Sequence, residues 1–305
     1  MFDTPKRQVD TVKALDQIER EDEKTGTIVP VFLRDTNRIM GVTLRLLRFS
    51  LHSAILFVKT KRRQQVKKRG IRMCTVGGML VGMFALWTMV IQTVDVQPIG
   101  PMGTKVGLAT LNGWIHRLSG VHMQLYAVTD WMGLVPIFVC AGFGWIGLLQ
   151  LYKRRSLRKV DFDLILLGGY YLLVISAYLV FEKFPVNYRP VLIEGRLEAS
   201  YPSSTTLLVL SVIPTLVLQV RHRAKSTAIK RITAALSVVF SAFMVVGRLI
   251  AGVHWVSDII GGILLSAGMF CIYRGLVVSY WKENKREVLL WNFPKSCRNC
   301  ESAEE

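Results

Sequence analysis

Six apolar stretches, each roughly 20 residues long and bounded by polar connections, constrain this chain more than any other feature. In lipid such a stretch has no water to bond its backbone, so it spans the bilayer as a helix. The limits read as 73–93, 131–152, 163–182, 203–220, 232–251 and 254–274. The expected fold class is therefore all-α, a polytopic membrane protein with six transmembrane helices.

Charge orients the spans. The chain is 51% hydrophobic yet carries a formal net charge of +18. Its cations fall in short blocks between apolar spans rather than along a polar domain, which argues against nucleic acid as a partner. The blocks are "KTKRRQQVKKRGIR" before the first span, "KRRSLRK" between the second and third, "RHRAKSTAIKR" between the fourth and fifth, and "KENKR" after the sixth. With six spans, all four lie on one side, which the positive-inside rule makes cytoplasmic. Both termini are then cytoplasmic, at a cell membrane crossed several times. The opposite loops hold few cations: Lys105 and Arg117, then Lys183, Arg189 and Arg196.

Residues 38–58 differ from the spans. Arg38, Arg45, His52 and Lys59 recur every seven residues, with Arg48 beside them, on an otherwise apolar helix surface. That pattern predicts an amphipathic helix lying in the interface, with a seventh span as the alternative. Three regions follow: 1–72, a basic cytoplasmic segment with the interfacial helix; 73–278, the six-span domain; and 279–305, a cytoplasmic tail. The basic segment suits anionic headgroups. The first 36 residues lack an apolar core, so no cleavable signal peptide is expected. Cys74, Cys140 and Cys271 sit in apolar stretches as small core residues. Cys297 and Cys300 give half of a zinc-site spacing with no second pair, so no metal or other cofactor is expected.

Three polar clusters fall on the outer side of these spans, where ionisable groups are costly and point to function. The first is "EKFPVNYRP", residues 182–190, with Lys183 and Arg189. The second opens the fourth span with Pro202, Ser203, Ser204, Thr205 and Thr206. One hydroxyl caps a helix start; four are more than capping requires, and the free amides there favour an anion. The third is "GRLIAGVHWVSDIIGG", residues 247–262. His254 and Asp258 stand four apart, a spacing that puts both on one helical face with the carboxylate in reach of the imidazole. Arg248 precedes them by six residues. Guanidinium forks match phosphate oxygens, and an oriented histidine among them fits phosphoryl transfer.

These motifs resemble those of the type 2 phosphatidic acid phosphatase superfamily of six-span lipid phosphate phosphatases, over about residues 73–278. The family pattern is Lys, six residues, Arg-Pro; then Pro-Ser-Gly-His; then Ser-Arg, five residues, His, three residues, Asp. Arg248, His254 and Asp258 match the third motif, with Gly247 in place of serine. By resemblance His254 is the nucleophile, Asp258 orients it, and Arg189, Arg248, Lys183, Ser203, Ser204 and Thr205 surround the phosphate. Arg189-Pro190 closes the first motif, but Glu182 occupies the lysine position and Lys183 is one residue late.

The second motif departs most. Thr205 stands where the family's histidine protonates the leaving group, and threonine is a poor acid at neutral pH. One reading is a lipid-phosphate binding protein that has lost turnover. Another is an enzyme whose leaving group needs little protonation. Phosphate departing from a diphosphate, with a second pKa near ~6, is such a group; a polyprenyl diphosphate fits. A third is a proton from His116 or His122 in the first outer loop, with an interfacial or packing role as the favoured reading of both. A transporter of phosphate compounds is a further class, disfavoured because the polar residues cluster at one face rather than the midplane. The expected partner is a lipid phosphate. Oligomeric state is not legible.

Overall fold

The computed structural model describes the backbone of residues 31–291, and side chains mainly within residues 57–279. It falls into two units, Met1–Arg63 and Gln64–Glu305. In the first, residues 31–63 are helical, part of α1 (Val31–Thr93). The predicted interfacial stretch 38–58 lies within that helix, but most of its side chains fall outside the described residues.

The second unit is a helical bundle. Among the described residues, six of its segments are long and apolar enough to cross a membrane: Gln64–Thr93, Met123–Arg154, Phe162–Lys183, Ser204–Arg223, Thr227–Ile250 and Val256–Ser279. The all-helical class and the six spans agree with expectation. Span two starts eight residues earlier than its hydropathy suggested, because α3 (Met123–Met132) continues into α4 (Leu134–Arg154) through Gly133. Asp130 interrupts the apolar run there, and that carboxylate has a specific partner described below. The remaining helices are α2 (Ala109–Ser119), α5 (Phe162–Lys183), α6 (Ser204–Arg223), α7 (Thr227–Ile250) and α8 (Val256–Trp291).

Helix α6 is central and packs against α4, α5, α7 and α8. Its buried face carries Leu207, Val209, Val212 and Ile213, while Ser211 and Thr215 occupy polar positions within it. In a bilayer such polar groups bond across helices. Tyr170 of α5 donates to the Ser211 carbonyl at 3.1 Å, and Tyr171 pairs with Thr215 Oγ1 at 2.7 Å.

Small residues let α1 and α8 approach closely. A Cβ on Gly77 would lie 2.7 Å from the Gly268 carbonyl oxygen, and one on Gly275 would lie 2.7 Å from that of Gly70. Without a hydrophobic drive between helices in lipid, this close contact is itself a source of association.

The end of the bundle that carries the polar clusters is built from connections. Asn112 of α2 reaches across to the start of α8, donating to Ser257 Oγ (2.9 Å) and accepting from Ser257 N (3.2 Å). The α7–α8 turn uses Gly252 at φ +68°, where a Cβ would lie 1.9 Å from the Gly120 carbonyl oxygen. A side chain there meets both a strained backbone and a direct clash. At the other end, Arg223 of α6 pairs with Asp163 of α5 at 2.7 Å.

Candidate active site

Two short extended segments frame the site between α5 and α6. Arg189 N donates to the Glu198 carbonyl (3.1 Å), and Ser200 N donates to the Asn187 carbonyl (2.9 Å). The chain then turns through a cis Tyr201–Pro202 bond into α6. Tyr201 anchors the turn: its ring stacks on Phe84 at 5.9 Å, and its hydroxyl pairs with Thr88 Oγ1 at 2.7 Å. Gly261 of α8 leaves room for that ring, since a Cβ there would lie 2.5 Å from Tyr201 Cε2.

Asp258 is the third residue of α8 and buried completely. Its Oδ2 accepts from Trp255 N at 3.0 Å, the reach-back half of a capping box. Asn187 donates to Oδ1 at 3.4 Å, and the Ser200 hydroxyl donates to Oδ2 in a short hydrogen bond. Ser203 N donates to the Asp258 carbonyl at 3.1 Å, which ties the start of α6 to the start of α8. A buried carboxylate needs such partners to stay in place.

His254 precedes α8 rather than sitting on it, so the expected one-face pairing with Asp258 is altered. Nδ1 lies 3.9 Å from Asp258 Oδ2. Instead, Nδ1 lies 3.2 Å from both the hydroxyl and the carbonyl oxygen of Ser200. A carbonyl only accepts, so Nδ1 carries the proton and Nε2 keeps its lone pair. Nε2 faces Arg189 Nη1 at 3.4 Å. Burial holds the His254 pKa well below its usual value, with Arg189 and Arg248 adding to the effect. The imidazole is thus neutral and oriented.

Arg248 is 2% exposed on α7 and pairs with Asp130 Oδ1 of α3 at 2.7 Å. Its Nε and Nη1 are buried without a hydrogen-bond partner among the described residues. The Tyr126 ring lies near both guanidiniums, 5.0 Å from Arg248 and 6.0 Å from Arg189. An aromatic face attracts both cations and helps two like charges share the site.

Beside Arg189 a cavity of about 230 Å³ is lined by Tyr178, Glu182, Glu198, Ser200 and Ser204, among others. Glu198 forms an ion pair with Arg189, Oε2 lying 3.0 Å from Nε but without hydrogen-bond geometry. Ser203 is buried and its hydroxyl caps α6 by accepting from Thr206 N at 3.5 Å. Thr205 is buried and does not line the cavity. Lys183 is exposed at the last turn of α5, outside the cavity lining, which its neighbour Glu182 joins. His116 packs its ring 5.4 Å from that of Trp255, and His122 bonds the Ser119 carbonyl at 2.9 Å. Among the described residues no three His, Cys, Asp or Glu side chains converge as a metal-ligand set.

Sequence reasoning missed Ser200, Asn187, Glu198, Asp130 and Tyr126. Asp130 left a usable signal, a carboxylate at the edge of an apolar run. Ser200 and Glu198 stand just upstream of the hydroxyl cluster, where nothing in the spacing distinguishes them from loop residues.

No curated protein matches the chain's sequence. Among solved structures, a transmembrane PAP2 type phosphatidylglycerolphosphate phosphatase from Bacillus subtilis is similar, with 18% identity and a TM-score of 0.47, over 68% of this chain and 96% of that one. Residues 176–285, which hold all three motif clusters, match the family model of the PAP2 superfamily, and over that segment the resemblance read from the motifs is borne out.

Proposed function

We propose that this chain is a membrane phosphatase that hydrolyses a lipid phosphate or diphosphate through a phosphohistidine at His254. One observation carries the reading: His254 is fixed with Nδ1 on the Ser200 carbonyl and Nε2 directed at the Arg189 guanidinium. A neutral imidazole with its lone pair beside a phosphate-binding fork is an activated nucleophile. The PAP2 match over residues 176–285 supports the same class.

In the proposed reaction Nε2 attacks phosphorus, and the bond to the leaving oxygen breaks. Arg189, with the buried free nitrogens of Arg248, takes up negative charge on the equatorial oxygens. Asp258 stabilises the charged imidazole through Ser200. Water then displaces the histidine and releases phosphate. Thr205 gives the leaving group no acid, so by itself it ranks a polyprenyl diphosphate above a monoester. The basic blocks and the site lie at opposite ends of the spans, which supports an extracytoplasmic site, both termini in the cytoplasm, and basic segments against anionic headgroups.

The test is phosphate release by the purified protein and a His254→Ala control on phosphatidic acid, a polyprenyl monophosphate and a polyprenyl diphosphate. Release that the control abolishes supports the enzyme. Retained lipid-phosphate binding with no release favours a second reading, for which Thr205 speaks: a binding protein without turnover.

A further inference from the structure

Thr205 leaves the proposed phosphatase without the acid its relatives use, and the structure puts a different proton carrier beside the phosphate ligand. We propose that Glu198 protonates the leaving oxygen in place of the missing histidine. The proposal rests on reading the site as a phosphatase.

The position of Thr205 comes first. It is buried on α6 and, like His254 and Arg248, absent from the lining of the cavity next to Arg189. A hydroxyl there does not titrate near neutrality. The cavity has its own ionisable groups: Tyr178, Glu182, Arg189 and Glu198. Of the two carboxylates, Glu198 is the one paired with Arg189, at 3.0 Å from Nε. Its side chain is 39% exposed, open enough to exchange protons with water.

The backbone fixes this arrangement. Arg189 N is bonded to the Glu198 carbonyl, and Tyr188 bridges to Ala199, so the two segments are held as a miniature antiparallel pair. Glu198 and Ser200 lie two residues apart, and both line the cavity. Side chains at i and i+2 of an extended segment share a side. Ser200 serves the nucleophile and its carboxylate, while Glu198 serves the arginine.

Arg189 therefore links the two groups that a displacement at phosphorus needs. Its Nη1 is 3.4 Å from the attacking nitrogen of His254, and its Nε is 3.0 Å from Glu198. In-line transfer needs the nucleophile and the acid on opposite sides of phosphorus. A phosphoryl group held by this guanidinium would have His254 beside one of its nitrogens and Glu198 beside another. Substrate also brings the carboxylate its proton, as phosphate oxygens compete with Glu198 for Arg189. A phosphate monoanion, with its second pKa near ~6, delivers that proton on binding.

The two half-reactions then balance. In the first, the Nε2 lone pair forms the N–P bond, the P–O bond gives its pair to the ester oxygen, and that oxygen takes the proton from Glu198. The lipid alcohol leaves. In the second, water forms a new P–O bond and the N–P pair returns to Nε2. The Glu198 carboxylate takes the water proton, and inorganic phosphate departs.

This role differs from that of a residue that only holds Arg189, because it depends on leaving-group basicity. The experiment compares wild type, Glu198→Gln, Glu198→Asp and His254→Ala in the full chain, on phosphatidic acid and on polyprenyl diphosphate. Glutamine cannot donate a carboxyl proton, so kcat on phosphatidic acid should fall by about 10²–10⁴-fold, the usual worth of general acid catalysis. That loss should exceed the loss on the diphosphate by roughly 10²-fold or more, and Glu198→Asp should recover part of it. Equal losses on both substrates would reduce Glu198 to a support for Arg189 and overturn the proposal. So would an undiminished rate on phosphatidic acid. Either result leaves the phosphatase reading standing. If wild type and His254→Ala do not differ on any substrate, that reading falls, and the role of Glu198 with it.

Discussion

Replacing Ser200 with alanine isolates how the proposed nucleophile, His254, is held. The serine hydroxyl donates to Asp258 Oδ2 and lies 3.2 Å from His254 Nδ1, so it bridges a pair whose direct separation is 3.9 Å. Removing it takes the shortest of the partners from a carboxylate that is fully buried. The remaining ones are Trp255 N at 3.0 Å, Asn187 Nδ2 at 3.4 Å and Ser257 Oγ at 3.5 Å. A hydrogen bond to a charged group contributes about 1.5–3 kcal/mol. If that stabilisation is needed most when the imidazole becomes charged, kcat should fall by roughly 10- to 150-fold. The tautomer should survive, because the Ser200 carbonyl still receives the Nδ1 proton. KM should therefore stay close to wild type, and Ser200→Thr, which keeps the hydroxyl, should restore most of kcat. The assay is single-turnover phosphohistidine formation together with steady-state rates, with melting in detergent as a folding check. An unchanged kcat in a folded Ser200→Ala protein, or a loss confined to KM, would refute the reasoning.

Further expectations follow from the same geometry. Because burial and two arginines lower the His254 pKa, the neutral nucleophile should persist as pH falls through 6.5, and protonation should appear only below that; a histidine-labelled NMR titration assigned with His254→Ala checks it, and a midpoint at or above 6.5 contradicts it. Asp130 is 58% exposed, so its pair with Arg248 is screened, and Asp130→Asn should lower kcat/KM only a few-fold, in keeping with about 0.2–1 kcal/mol. Arg248→Lys should cost more, since the guanidinium fork is lost; parallel kinetics on both variants decides the order. Leucine at Gly77 would drive a Cβ to 2.6 Å from Ile272 Cγ1 and should cost about 1–3 kcal/mol or more. Leucine at Gly78, which has open space, should leave melting in detergent near wild type.

The membrane fold was legible because lipid permits so few solutions. Apolar length alone located six spans, and α5 began and ended within a residue of its hydropathy limits. Where a span also carries function, hydropathy misleads. The start of span two was placed late because Asp130 and the polar residues of α3 break the apolar run. The close approach of α1 to α8 was not legible at all, since glycines at 70, 77, 268 and 275 announce nothing about which helices they will join.

The site divides along the same physical line. Arg248, His254 and Asp258 lie within eleven residues, and their spacing encodes a motif that composition would not produce by accident. Ser200, Asn187 and Glu198 have no such spacing relative to them; they meet the motif only because a loop folds back between α5 and α6. This explains how the Thr205 position can be read as damage from sequence and as a relocated function from structure. A motif records which residues act at fixed distances along the chain, whereas an acid needs only to reach the leaving oxygen, from whatever segment the fold brings there. The segment brought there carries Ser200 on His254 and Glu198 on Arg189, two residues apart. On the proposed reading, Glu198 is a carboxylate already paired with Arg189, and the leaving group then requires no acid from α6.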